Sequence, residues 1–393
     1  KRLKGGHDVL PNLVDEAKGA DEISNRFASI YEELFNSVPY DISDMESLMS
    51  EIEMDIADSD EAPKPICVED IVEALNRVKT SKKDGFGLLY TVNFIHGSAA
   101  LHQHLARLFL CMLWHGFTPS GFNISTIIPI PKDKRKSASD SSNYHAIALS
   151  SLLAKLFDWL LLIKYGDKFL TSYFQFGFKP CSSTTKCTFS LSECINHFSP
   201  NVYVLLLDCS KAFDKVNYVK LFSLLHSRGL DPRVLRCLIH LYTNQHLNVS
   251  WNQYSSKYFS VVNGVKQGGV LSPMLFSIYI NDLLLRLECS PFGCKVGHLY
   301  SGAFAYANDV ALVAPSLSVL SKMCNICLEF ASEYYLVFNP SKCKLISFVD
   351  NPDESFTFNS TTIEASNHGV HLGHVIGKNS AKDQTAAIGR DLT

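Results

Sequence analysis

The order of apolar and polar residues along the chain predicts two buried strands that each meet a carboxylate. Residues 202–207 comprise five aliphatic side chains and one tyrosine, and Asp208 follows them directly. An unbroken apolar run of this length is typical of a strand that is buried on both faces. Further along the chain, two apolar arms within 304–313 flank Asn308 and Asp309, which predicts a β-hairpin with these two residues at its tip.

Apolar residues at helical spacing predict helices around these strands. The predicted helices cover 20–36, 68–79, 98–115, 184–198, 232–246, 273–287 and 316–335. Shorter strands are predicted at 124–130, 248–251, 257–262 and 345–349. The pattern therefore predicts an α+β fold.

Two charged segments interrupt this pattern. Residues 41–61 contain nine acidic and no basic residues, which predicts a linker or a mobile loop. Residues 79–87 are basic and contain glycine, which predicts a solvated turn. The chain has a net charge of -3, but without 41–61 it has 36 basic and 30 acidic residues, a net charge of +6. A mildly basic surface permits binding to nucleic-acid phosphates without by itself indicating it.

Composition predicts a folded protein of the cytoplasm or nucleus. With 393 residues, 46% of them hydrophobic, the chain is long enough for two or three domains with sizeable cores. Its longest apolar segment, 152–163, is interrupted by Lys155 and Asp158, so no transmembrane helix is predicted. Only Cys324 and Cys327 have ligand-like spacing, and no second pair accompanies them, so reduced buried thiols are predicted. The chain opens without an initiator Met or a signal peptide, and we expect it to be a fragment of a longer protein.

The two carboxylates at strand ends are the candidate chemistry. A single Asp at a strand end is usually a helix cap or a solvated loop residue. If the strands of Asp208 and Asp309 are neighbours, however, their carboxylates converge at one edge of the sheet, and such hard oxygen ligands suit Mg²⁺. This is the arrangement used in two-metal phosphoryl transfer.

Three segments, in this order and at these separations, resemble the palm motifs of reverse transcriptases from non-LTR (LINE-type) retrotransposons. They are LDCSKAFDKV at 207–216, GVKQGGVLSPMLF at 264–276 and AYANDVAL at 305–312. The resemblance implies an RNA-directed DNA polymerase that performs nucleotidyl transfer with Mg²⁺, or with Mn²⁺ in its place. Its expected partners are an RNA template, a DNA primer and deoxynucleoside triphosphates, with no membrane involved.

The resemblance also implies a right-hand polymerase fold. We expect fingers at 63–200 and a ferredoxin-like palm, an antiparallel sheet with packed helices, at 201–377. Residues 232–263 are expected to be partly a fingers-like insertion in that palm. An N-terminal helical extension and the acidic linker occupy 1–62. Residues 378–393 are expected to begin a truncated C-terminal region, with the thumb mostly missing.

A catalytic site at the two strand-end carboxylates follows from the same resemblance. Asp208, Asp309 and the main-chain carbonyl of Cys209 are expected to bind the cations. Asn308 stands where active relatives have an aspartate, so one negative charge is lost. Because such ions contribute several kcal/mol to transition-state stabilisation, losing about 4 kcal/mol would slow turnover roughly a thousandfold. Lys342 matches a family lysine that protonates the departing pyrophosphate, and the alternative is an ordinary surface lysine.

Other residues are expected to contact nucleotide, template or primer. The expected nucleotide contacts are Phe213, which would exclude a 2′-hydroxyl, and Gln267, Gly268, Lys132, Lys134 and His145. The expected template or primer contacts are Lys179, Ser183, Leu372 and Gly373. Structural alternatives stay open, because Phe213 also fits a core aromatic and Ser183 also fits a helix N-cap.

The departures from the family pattern indicate impaired activity. His145 stands in place of an arginine, and an imidazole that is mostly neutral near pH 7 grips a triphosphate less firmly than a guanidinium. Together with Asn308, this leaves two main hypotheses, a weakly active polymerase domain and a decayed or repurposed copy that binds nucleic acid without chemistry. An unrelated metal nuclease would leave the Gln-Gly-Gly sequence at 267–269 unexplained.

Overall fold

A computed structural model of the protein describes residues 10–79, 89–349 and 355–377. Nearly all of the basic turn predicted at 79–87, and the C-terminal region predicted at 378–393, lie outside the described residues.

Helices make up much of the described chain. The α-helices are α1 (Ala20–Leu34), α2 (Ile42–Asp58), α3 (Val68–Arg77), α4 (Thr91–Ile95), α5 (Ala99–His115), α6 (Ser120–Asn123), α7 (Leu152–Tyr165), α8 (Thr184–Phe198), α9 (Tyr218–Ser227), α10 (Pro232–Thr243), α11 (Ser272–Cys289) and α12 (Leu317–Glu333). Short 3₁₀ helices lie at Ser141–Asn143, Gly166–Phe169 and Phe213–Lys215. Every predicted helix is present, and its ends differ from the prediction by at most three residues.

The strands form two larger sheets and several small ones. They are β1 (Leu13–Val14), β2 (Ala17–Lys18), β3 (Ile124–Pro131), β4 (Tyr144–Ser150), β5 (Tyr203–Leu207), β6 (His246–Trp251), β7 (Tyr254–Ser255), β8 (Phe259–Ser260), β9 (Lys295–Val296), β10 (Leu299–Tyr300), β11 (Ala303–Tyr306), β12 (Asp309–Ala314), β13 (Lys344–Ser347), β14 (Ser355–Phe358), β15 (Thr361–Ser366), β16 (His368–His371) and β17 (His374–Gly377). The protein therefore has the α+β composition that the sequence predicts.

The chain divides into two units. The first contains the described residues up to Phe169 together with Phe213–Ser272, and the second contains Leu170–Ala212 together with the described residues from Pro273 onward. The chain passes between the units three times, at 169/170, 212/213 and 272/273.

In the first unit, a sheet of order β4-β3-β6-β7 packs against α1. Strands β3 and β6 run parallel, and β8 adds to β6 in antiparallel fashion. The core between sheet and helix is aromatic, with the ring of Phe27 5.1 Å from that of Tyr144 and 5.3 Å from that of Trp251. Burial of these rings fixes α1 on the sheet. Elsewhere in the first unit, helix α3 packs on α5 and α7.

The acidic segment at 41–61 is a helix, so the prediction of a linker or mobile loop is wrong. Asp41 caps helix α2 by accepting a hydrogen bond from the Ser43 main chain, and apolar residues at helical spacing within α2 are buried. Two acidic side chains of α2 are paired with basic side chains elsewhere in the first unit. Glu53 lies 3.0 Å from Arg236, and Asp55 lies 2.7 Å from the ring of His226. These partners are distant in sequence, which explains why the acidic composition was misleading.

In the second unit, a six-stranded sheet has the order β11-β12-β5-β13-β15-β14. All five residues of the central strand β5 are buried, as the unbroken apolar run predicts. Helices α8 and α12 pack on this sheet. Strands β13 and β15 pair in parallel whereas the other neighbours are antiparallel, so the sheet is mixed and not purely antiparallel as predicted.

The predicted hairpin in the second unit is formed by β11 and β12. Its register pairs Tyr306 with Asp309, so the two loop residues are Ala307 and Asn308. The tip therefore lies one residue earlier than predicted, and Asp309 is the first residue of a strand. Ala307 has a φ of 56°, a left-handed conformation that a turn of this kind usually assigns to glycine.

The remaining general predictions concern membranes and thiols. In the described ranges, no helix is both long enough and apolar enough to cross a bilayer. The twelve cysteines all lie in the described residues and are all free thiols. Cys324 and Cys327 are buried in α12, where burial raises the pKa of both thiols.

A partly buried ion pair in the first unit gives a test of stability. Asp70 lies 2.6 Å from Lys164, with 13% and 20% of their side chains exposed, and it also accepts a hydrogen bond from the Cys67 main chain. Burial acts to raise the pKa of Asp70, but the bonds from Cys67 and the charge of Lys164 outweigh it and lower that pKa below 3.8.

Replacing Asp70 by Asn should lower the free energy of unfolding by about 2 kcal/mol at neutral pH. A carboxyl with a lowered pKa stabilises the fold above its unfolded pKa, and this contribution is lost as pH falls through the folded pKa. The difference should therefore shrink between about pH 5 and pH 3. Denaturant unfolding at both pH values measures it, with Glu73→Gln, in the exposed pair with Arg77, as a control that changes little. Equal stabilities at neutral pH would contradict the prediction.

Candidate active site

Two aspartates meet at one edge of the six-stranded sheet. Asp208 follows the last residue of β5, and Asp309 is the first residue of β12, the antiparallel neighbour of β5. The pairing of Leu207 with Val310, continued by one residue, sets Asp208 opposite Asp309. Residues opposite each other in such a pair have Cβ atoms about 4.5–5.5 Å apart. The sequence analysis expected the two carboxylates to converge if their strands were neighbours, and the strands are neighbours.

The electrostatics of this edge favour a positive partner. Burial and then the negative charge of Asp208 raise the pKa of Asp309. The Oδ2 atom of Asp208 is buried and accepts no hydrogen bond from the described residues. The nearest described cation is the Nζ atom of Lys342, 3.6 Å from that oxygen. A buried carboxylate oxygen without a donor is costly, so this edge suits an added cation.

Asn308 is positioned beside the same carboxylates. Its Nδ2 atom donates a hydrogen bond to the main-chain carbonyl of Cys209, with the two atoms 3.4 Å apart. The amide therefore turns its nitrogen, and not its oxygen, toward the carbonyl that the resemblance assigns to the cation. An aspartate here would offer an oxygen and a negative charge instead.

The turn that carries Lys342, more than a hundred residues after Asp208, also packs against this edge. The Asn339 amide donates to the carbonyl of Asp208 over 2.9 Å, and the Ser210 amide donates to the carbonyl of Val337 over 2.9 Å. These bonds hold the turn that carries Lys342 against the end of β5. They explain how a residue far along the chain comes to face Asp208.

The donor set of this edge fits a hard divalent ion only in part. Two carboxylates and a main-chain carbonyl are oxygen ligands of the type that Mg²⁺ prefers. Within 10–79, 89–349 and 355–377, however, no group of three or more His, Cys, Asp or Glu side chains is placed to hold a metal ion. The resemblance implies a third carboxylate at position 308, where this chain has Asn.

The predicted nucleotide contacts assemble in the first unit. The Nε2 atom of Gln267 donates to Oδ1 of Asp214 over 2.8 Å, and the Gln267 carbonyl accepts from the Ala148 amide over 2.7 Å. The side chain of Gln267 is also hydrogen-bonded to His145. Gly268 has a φ of 107°, and a Cβ atom there would lie 2.8 Å from the Ala148 carbonyl. The glycine therefore allows the loop to approach strand β4.

His145 is held in its neutral form. Desolvation and then the charge of Lys132 lower its pKa below 6.5, although the hydrogen bond with Gln267 opposes this. The Nζ atom of Lys132 donates to the Ser142 carbonyl over 2.8 Å. Lys134 is exposed on the same basic loop. At position 145 the site therefore has a mostly neutral imidazole where the resemblance implies a charged guanidinium.

Phe213 begins a 3₁₀ helix beside the Gln267 loop. Its carbonyl accepts a hydrogen bond from the Val265 amide over 2.8 Å, and its side chain is only partly buried. The next residue, Asp214, is 5% exposed and binds Gln267. Sequence reasoning assigned no role to Asp214, and its place within the motif at 207–216 was the available signal.

The predicted template and primer contacts lie in the second unit. Lys179 donates to the carbonyls of Thr171 and Ser172, and burial lowers its pKa. Ser183 is the N-cap of α8, since its hydroxyl accepts from the Lys186 amide over 3.1 Å. This confirms the capping alternative for Ser183.

The other two expected template or primer contacts lie at the turn of the hairpin formed by β16 and β17. Leu372 and Gly373 form its two-residue loop, with φ values of 52° and 82°. Both values are positive, as the commonest hairpin turn requires.

Residues 130–376 match the reverse transcriptase (RNA-dependent DNA polymerase) family. The chain belongs to this family. The match includes both the acidic edge and the Gln267 loop, and it confirms the resemblance predicted from the three motifs.

Individual relatives come from mobile elements. The chain is 27% identical to the Retrovirus-related Pol polyprotein from type-2 retrotransposable element R2DM of Drosophila melanogaster, over 64% of this chain and 24% of that protein. It is 26% identical to the probable RNA-directed DNA polymerase from transposon BS of the same organism, over 86% of this chain and 37% of that protein. It is 24% identical to the RNA-directed DNA polymerase from mobile element jockey of Drosophila funebris, over 80% of this chain and 35% of that protein. The chain thus spans well under half the length of these relatives.

Proposed function

We propose that this chain is the RNA-directed DNA polymerase domain of a retrotransposon and that Asn308 keeps its activity low. The observation that carries the proposal is the pair Asp208 and Asp309, opposite each other on neighbouring strands, with a buried oxygen that no described residue satisfies. Its substrates would be deoxynucleoside triphosphates, a DNA primer and an RNA template.

In this proposal the fold is that of a right-hand polymerase. The six-stranded sheet around β5 is the centre of the palm, and the sheet around β3 and β4 belongs to the fingers. The basic loop after β3 carries Lys132 and Lys134, and α2 packs on α9 and α10.

Asp208, Asp309 and the Cys209 carbonyl would hold Mg²⁺, or Mn²⁺ in its place. When bound, the ions would stabilise developing negative charge and make the primer hydroxyl a better nucleophile. Lys342, already near Asp208, would deliver a proton to the departing pyrophosphate. Asn308 could offer one amide oxygen but no negative charge, while its nitrogen is hydrogen-bonded to the Cys209 carbonyl.

The nucleotide would be gripped by residues of the Gln267 loop and the basic loop. Gln267 has one amide hydrogen and one oxygen lone pair left after its bonds to Asp214 and His145, and these can contact the nucleotide. Phe213 would lie under the sugar and exclude a 2′-hydroxyl. His145, being neutral, would contribute less than an arginine to triphosphate binding.

Template and primer contacts are proposed for the second unit. Lys179, Ser183, Leu372 and Gly373 remain the candidates. Because the two Lys179 bonds to Thr171 and Ser172 leave one N–H donor, this side chain can bind a phosphate while it still braces its own loop.

A second function is favoured by one observation. The bond from Asn308 to the Cys209 carbonyl satisfies the hairpin tip without a cation. This arrangement suits a decayed or repurposed copy that binds nucleic acid without chemistry.

Nucleotide selectivity tests the polymerase proposal. The chain should add deoxynucleotides to a primer on an RNA template, slowly and only when they match the template. Phe213→Val should raise the use of ribonucleotides relative to deoxynucleotides about tenfold or more, since the bulk that blocks the 2′-hydroxyl is removed. Phe189→Val, at a 64% exposed aromatic in the second unit, serves as the control.

The outcomes separate the two functions. Templated addition whose sugar preference changes with Phe213 supports the polymerase. Binding of an RNA–DNA hybrid without any templated addition supports the binding protein. Loss of both binding and addition from a folded chain overturns both.

A further inference from the structure

The segment before α8 runs along the free edge of the catalytic hairpin. The Ala305 amide donates to the Phe174 carbonyl, and the Phe176 amide donates to the Ala305 carbonyl, each over 2.7 Å. Gln175 thereby forms a parallel bridge with Ala305. The segment is thus added to strand β11 as a short seventh strand, two residues from the hairpin tip.

From this position the side chain of Gln175 makes two hydrogen bonds to the main chain of Ala307. Its Oε1 atom accepts from the Ala307 amide over 2.9 Å, and its Nε2 atom donates to the Ala307 carbonyl over 3.2 Å. Oε1 also accepts from the Gly177 amide over 2.8 Å. Gln175 is 0% exposed, so none of these groups has water as an alternative partner.

The backbone conformation of Ala307 explains why these hydrogen bonds are needed. Ala307 has a φ of 56°, which an L-residue with a Cβ atom disfavours. Strained backbone of this kind persists where the surrounding structure determines it, and it concentrates at functional sites. Gly177 contributes to the same contact, because a Cβ atom there would lie only 2.5 Å from the Ala307 nitrogen. The amide of Gln175 can therefore reach both polar groups of the strained residue.

We infer that Gln175 is a positioning residue for the acidic edge, which sets the direction of Asn308 and Asp309 by fixing the main chain of Ala307. It touches neither nucleotide nor cation, and it acts through the residue immediately before the tip amide. The inference rests on the proposed function only for the role of Asp208 and Asp309 as cation ligands. It also gives the residues just before Lys179 a role besides the template contact proposed for Lys179.

Gln175→Met and Asn281→Leu form a matched pair for the test. Both replace a buried amide of the second unit by an apolar side chain. Asn281 is 2% exposed and accepts from the Ser172 amide over 2.7 Å, so it holds the same segment without reaching the tip. Gln175→Glu, which keeps the acceptor and the size, is the second variant in case the methionine variant does not fold.

Two measurements on the folded chains decide the matter. The first is hydrogen exchange of the Ala307 amide, and the second is the Kd for Mn²⁺ from the paramagnetic resonance signal of the free ion. Gln175→Met should speed exchange at Ala307 and raise the Mn²⁺ Kd about tenfold or more, as loss of a residue supporting metal ligands does. Asn281→Leu should change neither by more than about twofold even if it lowers Tm.

A rescue experiment separates positioning from general packing. Ala307→Gly, added to Gln175→Met, should restore Mn²⁺ affinity to within about threefold of the parent. Glycine adopts a positive φ without the hydrogen bonds from Gln175. No rescue, or an equal change in the Asn281 control, would overturn the inference. If the parent chain binds no Mn²⁺, the cation site of the proposed function fails, and unchanged exchange at Ala307 would then refute the role of Gln175 separately.

Discussion

Replacing Asn308 by Asp should raise the rate of RNA-templated primer extension by roughly a thousandfold, which corresponds to about 4 kcal/mol of transition-state stabilisation. The substitution exchanges an N–H donor beside the Cys209 carbonyl for a charged oxygen beside Asp208 and Asp309. A third carboxylate then faces the cations. The gain is electrostatic, and it should appear in the rate of chemistry more than in nucleotide KM.

The same substitution should make the fold more dependent on divalent ions. Without them, a third carboxylate would add repulsion to an edge where Asp208 already raises the pKa of Asp309. The variant should therefore melt at a lower temperature than the parent in chelator and gain more from Mg²⁺ or Mn²⁺. This second readout does not require turnover.

Single-nucleotide addition at saturating Mg²⁺ measures the effect on rate. Asn201→Asp is a matched control, because Asn201 is exposed just before β5, at the end of that strand opposite Asp208, and an aspartate there adds the same charge away from the acidic edge. The control should change the rate by less than about threefold. A parent chain already as fast as the Asn308→Asp variant would refute the impairment attributed to Asn308. A variant that folds and binds template but does not extend would show that the damage reaches beyond the tip.

Removing the charge of Asp208 should abolish extension. In the Asn308→Asp background, Asp208→Asn should cost at least about a thousandfold, because the side chain that faces both Asp309 and Lys342 can no longer attract a cation. The loss should not be recovered at higher nucleotide concentration. Affinity for an RNA–DNA hybrid should stay within about threefold of the background, since the proposed hybrid contacts lie elsewhere in the second unit.

Asp282→Asn provides the control for this loss. Asp282 is a partly exposed carboxylate of the second unit that pairs with Arg286 over 2.8 Å and accepts from Tyr334. Its substitution should affect stability modestly and leave extension nearly unchanged. Measurable extension by the Asp208→Asn chain at near-normal rate would remove Asp208 from the catalytic site.

Much of the fold was predictable because it depends on neighbouring residues. The unbroken apolar run before Asp208 predicts the buried strand β5, and Asp231 followed by Pro232 predicts the start of α10. Ser183 is the cap expected from its position before an apolar-periodic segment. The candidate site was predicted in part, since the motifs that carry Asp208, Gln267 and Asp309 place them by resemblance.

Two features of the fold were not predicted because they depend on contacts between residues that are far apart in the sequence. Helix α2 was predicted as a linker from its acidic composition, but Glu53 and Asp55 are held by Arg236 and His226, which are far away in sequence. Gln175 lies four residues before Lys179, an expected template contact, yet its hydrogen bond with Ala307 joins positions 132 residues apart.

The sequence by itself determined the family and the buried strands that carry the carboxylates, and it has an amide at position 308, where the resemblance implies a charged ligand. Only the tertiary structure decided that Asp208 and Asp309 lie opposite each other, that Asn308 bonds to Cys209, and which buried amides hold the loops in place. The reason is that strand and cap preferences are local properties of the chain, whereas a buried polar group takes whichever partner the completed fold brings within hydrogen-bonding distance.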